Sequence, residues 1–124
     1  MSEVSTAADA ATKALEELVA AIDESVQELS RARWRAEQLL ASRAAGTSWL
    51  DIVTAETRPL VVESISSVLG TLARAGSTFR REQAFALQGE QVSINRIAAL
   101  FGVTRQRISA LLRERQATSA SIAL

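Results

Sequence analysis

The chain of 124 residues has no cysteine and no histidine. A disulfide framework, a thiol nucleophile, a Cys/His zinc site and any Ser-His or Cys-His catalytic pair are thereby excluded. There is one proline, Pro59, and glycine occurs five times, so little interrupts a regular backbone. Aromatic residues are scarce, three Phe and two Trp, and any core must be mostly aliphatic. No apolar run approaches the roughly 20 residues of a membrane span. Nor does the first segment show the basic-then-apolar order of a secretion leader, so a cytoplasmic protein without membrane contact is expected. A glycine-rich phosphate loop is absent. The carboxylates Glu16, Glu17, Asp23 and Glu24 stand at the spacing of a solvated helix surface with no histidine beside them. They read as surface rather than as a metal site or acid–base pair. No catalytic residue, metal or cofactor is expected.

What the chain has in plenty is alanine and leucine, which favours an all-α fold. From about Thr6 to Ala44 nothing breaks a helix. Leu15, Leu18, Ile22, Val26, Leu29 and Leu40 recur along it in a three-four alternation close to a heptad seam. A helix of about 38 residues reaches about 57 Å at ~1.5 Å per residue, more than a domain this small covers. The stripe calls for another helix, folded back or from a second copy, and a homodimer is expected. Gly46 ends this helix, and Ser48 with Asp51 reads as a capping box for a short helix over 49–56. Trp49 is expected to anchor that short helix in the core, and Trp34 reads as a packing residue. Pro59 suits the first turn of a third helix, expected to stop at Ala75-Gly76. Ser77 or Thr78 would then cap a helix from about Phe79 to Gln88. The expected organisation is a long N-terminal helix for oligomerisation (1–45), a middle helical pair (46–76), a C-terminal tri-helical unit (77–115) and a flexible tail (116–124), with residues 1–4 also fraying.

The formal net charge of zero conceals an asymmetry. Residues 1–71 hold six basic and eleven acidic side chains, whereas residues 72–124 hold eight arginines and three glutamates. An acidic half and a basic half suggest two ends with different partners, the basic end facing nucleic acid.

The basic half contains Ser93-Ile-Asn-Arg-Ile-Ala-Ala-Leu-Phe-Gly-Val-Thr-Arg-Gln-Arg-Ile-Ser-Ala-Leu-Leu-Arg113, the pattern of a helix-turn-helix. A helix over 93–101 is followed by a left-handed turn at Gly102, and Thr104 caps the next helix. Ile97, Phe101, Val103, Ile108 and Leu111 are expected to close the wedge, with Ala98 small because the second helix passes over it. The outer face of that helix then carries Arg105, Gln106, Ser109 and Arg113, side chains able to read base edges in a major groove.

The stretch Leu100-Phe-Gly-Val-Thr-Arg-Gln-Arg-Ile-Ser-Ala-Leu-Leu112 resembles bacterial helix-turn-helix transcription regulators. Its Gly-Val-Thr-Arg-x-Arg-Ile core is similar to the −35-reading motif of primary sigma factors and to small actinobacterial regulators. The resemblance covers about residues 79–115. It implies that Thr104, Arg105, Gln106, Ser109, Ala110 and Arg113 face the groove. By side-chain chemistry, Arg105 or Arg113 suits guanine and Gln106 adenine, while Ser109 and Ala110 let the helix sit deep. Arg80, Arg81, Arg96, Thr104 and Arg107 suit phosphates, which position a protein without reading sequence. The expected function is sequence-specific binding of double-stranded DNA for transcriptional regulation, by a homodimer on the nucleoid. The alternatives are a coiled-coil adaptor whose C-terminal unit contacts RNA polymerase or another regulator, and an accessory piece of DNA-processing machinery.

Overall fold

The structure is a computed structural model and describes residues 3–123, with side chains described over 6–118. It is all-α, as the composition predicts: α1 (Glu3–Ala44), α2 (Trp49–Ala55), α3 (Val61–Gly89), α4 (Ile94–Phe101) and α5 (Arg105–Ala123), with no strand among the described residues. Gly46, at φ +96°, turns the chain after α1. The Ser48 hydroxyl accepts from the Asp51 amide at 3.1 Å and caps α2. At the start of α3, Glu63 accepts from the Leu60 amide and Glu56 from the Val61 amide, each at 2.8 Å. Two carboxylates thus satisfy amides that a helix start leaves without partners, at its positive end.

Three expected boundaries are corrected. No break occurs at Ala75-Gly76, and α3 is one helix from Val61 to Gly89. Glycine in a helix interior costs only about 1 kcal/mol relative to alanine. Val68, Leu72, Ala75 and Phe79, buried or half-buried, hold a three-four spacing across Gly76, as a continuous helix requires. Ser77 and Thr78 are interior residues rather than caps, and Pro59 precedes α3 instead of lying in its first turn. At the other end, α5 continues to Ala123, beyond the tail boundary expected at 116. The fraying expected at the termini falls in part on residues 1, 2 and 124, outside the described residues.

The chain forms two compact units. One joins the segment up to Leu18 with the segment from Ala75 onward; the other is Val19–Arg74. Within Val19–Arg74, α1 and α3 line a polar groove of about 280 Å³ with Glu24, Ser25 and Glu28 on one wall and Glu63, Ser64, Ser67 and Thr71 on the other. Further along α1, Arg35 donates to the Thr57 carbonyl at 2.7 Å, and Gln38, Leu39 and Ser42 lie by Asp51, Ile52 and Ala55. Rising numbers on α1 meet falling numbers on its partner, so the two helices are antiparallel. Their seam is built largely of modest side chains: Ser25 is buried on α1 where the groove meets Ser64 and the buried Val68 of α3, and Ala32 is buried two turns further along α1.

The apolar stripe of α1 therefore divides. Leu18 is half-buried on the seam face. Leu15, Ile22, Val26, Leu29 and Leu40 are exposed, and Val19 joins them. Two heptad-like rows one residue apart share this helix, and the row of large side chains is the outer one. The tryptophans also depart from expectation. Trp49 is 58% exposed and Trp34 62%, while Ile52, one turn along α2 from Trp49, is buried and anchors the helix.

Candidate nucleic-acid interface

The unit containing α4 and α5 is organised around Ile97 and Ile108, both fully buried. Ala84 of α3, Ala98 of α4 and Leu111 and Leu112 of α5 complete the core, with Phe85, Leu87, Val92, Ile94 and Phe101 packed around it. Ser93 caps α4 by accepting from the Arg96 amide at 3.2 Å. Gly102 ends α4 in the left-handed region, at φ +68° and ψ +33°. The Val103 amide then donates to the Ala98 carbonyl at 3.0 Å, closing the end of the helix. Thr104 accepts from the Arg107 amide at 3.1 Å and starts α5. Three residues thus suffice to turn α4 into α5, as the spacing predicts.

Val103 does not close the wedge: it is 41% exposed, because the Gly102 turn directs it outward. Leu112, which the sequence reading left out of the core, takes a place in it.

The residues expected to read bases share one side of α5. Arg105, Gln106 and Arg113 are exposed, and Ser109 and Ala110 are half-buried at the border with the core. Positions 106, 109 and 113 recur at helical spacing, so they line one face, away from Ile108, Leu111 and Leu112. The expected phosphate set is less uniform. Arg96 is exposed on α4, and Thr104 spends its hydroxyl on the cap. Arg107 is exposed with its guanidinium 3.9 Å from Glu114. Arg80 is exposed and lies over the Phe101 ring, 4.3 Å from its centroid. Arg81 is drawn inward: its side chain is 21% exposed, and its buried Nε lies 3.8 Å from Glu82.

One element had no signal in the sequence. Arg115 donates to Glu82 at 3.3 Å and stacks on Phe85, 4.1 Å from the ring centroid. The contact fastens the second half of α5 to α3 across 33 positions of sequence, and no local pattern announces a pairing that distant. Among the described residues no group of His, Cys, Asp or Glu could hold a metal ion, and no helix is long and apolar enough to cross a membrane. Comparison with protein-family models, with curated proteins and with solved structures finds no match to this chain.

Proposed function

We propose that this chain is a sequence-specific DNA-binding transcriptional regulator that works as a homodimer on the bacterial nucleoid. The observation that carries the reading is the pairing of a capped, rigidly turned α4–α5 with an outer α5 face of Arg105, Gln106 and Arg113. Such a helix presents donors in the fork and amide geometries that pair with guanine and adenine edges. Arg96, Arg107 and Arg80 are exposed on α4, α5 and α3 and supply positive charge for the phosphate backbone. One such helix offers little contact area, and two-fold duplication places a second one on a neighbouring groove about 34 Å away. Affinity then rises through effective concentration rather than through new contacts.

The test is a pull-down of genomic fragments followed by titration of recovered and scrambled duplexes at several salt concentrations. A shared inverted repeat, bound well above scrambled DNA, supports the regulator. Equal binding to both duplexes refutes it. A second reading, a protein adaptor that reaches RNA polymerase or another regulator, draws on the exposed Trp49, Leu50 and Val53 of α2. Capture of a polymerase subunit that is lost in Leu50→Glu, together with indifferent DNA binding, favours it.

A further inference from the structure

The α1–α3 hairpin of Val19–Arg74 has two unlike sides. On each helix, the residue following a seam residue lies about 100° further round the axis. On α1, Ile22, Val26 and Leu29 follow Ala21, Ser25 and Glu28; on α3, Ile65 and Leu69 follow Ser64 and Val68. Because the helices are antiparallel, these rotations run in opposite senses when viewed from one end, and both rows turn to the same side. Over residues 19–29 of α1 and 65–69 of α3 that side is apolar, with Val26 and Leu69 each 61% exposed; beyond it Arg33, which follows the buried Ala32, pairs with Glu37. The residue preceding each seam residue goes to the other side, where Glu24, Glu63 and Ser67 line the polar groove.

We infer that the apolar side of this hairpin seats the same side of a second copy. Together they close a four-helix bundle with Val19, Ile22, Val26, Leu29, Ile65 and Leu69 as its core. The inference rests on the dimer reading above and deepens it by making α3 an equal half of the interface. Two observations choose this occupant. First, Val19, Ile22, Val26, Leu29, Ile65 and Leu69 are all exposed, while Ser25, Ala32 and Val68 are the buried residues of α1 and α3 within Val19–Arg74, so the larger apolar surface is left uncovered. Second, the six residues carry no charge and Val19–Arg74 holds six arginines against seven carboxylates, so two copies meet apolar to apolar with little net repulsion, as a two-fold interface requires. A membrane surface is the poorer occupant, because helices that lie on lipid carry an excess of Lys and Arg on their polar face, whereas here Glu28 pairs with Arg31 and Glu63 with Arg58, and Glu24 lines the groove beside them.

Sedimentation equilibrium of the full chain at micromolar concentrations tests the inference. The wild type should be a dimer. Ile22→Glu and Leu69→Glu should each raise the dimer dissociation constant by about 100-fold or more, since each puts a charge into the closed core. Leu100→Glu, on an exposed α4 position outside the hairpin, should leave it unchanged. Circular dichroism should show the same helix content at concentrations where each protein is monomeric. If Leu69→Glu loses helix, Leu69→Ala takes its place, with a weakening of about tenfold expected. A monomeric wild type overturns the inference and the dimer reading together. A Leu69 variant as tightly dimeric as the wild type, beside a monomeric Ile22→Glu, overturns the four-helix face and leaves a dimer through α1 alone. Neither result touches the duplex titration that tests DNA reading.

Discussion

Alanine at Gly76 and alanine at Gly102 should change stability in opposite directions. Both positions are open, with nothing within 4 Å of where a Cβ would stand, so contacts do not distinguish them. The backbone does. Gly76 lies inside α3 without a positive φ, while Gly102 sits at φ +68°. In a helix interior a glycine is about 0.5–1 kcal/mol worse than alanine, because it loses more freedom on folding. Gly76→Ala should therefore raise stability by about that amount. A residue with a Cβ in the left-handed region pays roughly 1–2 kcal/mol, so Gly102→Ala should lower stability by that much. Gly102→Val should lose more, since a β-branched side chain is worse still there. Thermal unfolding followed by circular dichroism reads both changes, at about 3–5 °C per kcal/mol for a chain of this size. A fall in midpoint for Gly76→Ala would refute the reasoning. It would mean that the chain turns at Gly76, as its composition suggests, and that α3 is two helices.

Other outcomes follow from the α4–α5 unit. Ile108→Ala removes three fully buried carbons and should cost about 2–5 kcal/mol by urea unfolding; a loss below about 1 kcal/mol would show that the core closes elsewhere. Ala98→Leu, at a buried position, should cost about 1–3 kcal/mol by overpacking, measured the same way. Arg105→Ala and Gln106→Ala should each weaken the preferred duplex by about 1–3 kcal/mol and blur one or two base pairs, whereas Arg96→Ala should weaken all DNA alike. The salt dependence of Arg96→Ala should flatten by about 0.9 in log–log slope for the lost phosphate contact. Glu82→Ala removes the carboxylate that accepts from Arg115 and should destabilise the unit by about 1 kcal/mol, visible as a lowered midpoint with no change in base preference.

Local chemistry accounts for what the sequence made legible. The caps at Ser48 and Thr104 and the left-handed Gly102 each depend on residues within four positions, and the structure has each where the pattern puts it; Ser93, expected as the first residue of its helix, is the cap of α4 instead. The grouping of Arg105, Gln106 and Arg113 on one side of α5 follows from helical spacing alone. Gly76 misled because glycine marks both helix ends and tolerated interior sites, and only packing along the whole of α3 distinguishes the two. The stripe of α1 was legible only in part: Leu18 and Val19 are adjacent and both apolar, and composition does not say which row faces α3. Small residues took the seam because small residues let two helices approach closely, which moved the large row outward. Arg81 and Arg115 look like any other surface arginines in the sequence; Glu82 and Phe85 on α3 hold the second, and Glu82 lies beside the first.

The unbroken α3 also decides how this protein can be dissected. The boundary between the two compact units is crossed at 18/19 and again at 74/75, and both crossings lie in mid-helix. No interdomain linker exists for a protease to find, so limited digestion should nick the turns at 45–48, 56–60 and 90–93 before it separates the units. A truncation meant to isolate the arginine-rich end by starting at residue 75 also discards the segment up to Leu18, including the buried Ala7 and Ala14, which belongs to the same unit. Poor solubility of such a fragment would report an amputated domain rather than a failed one.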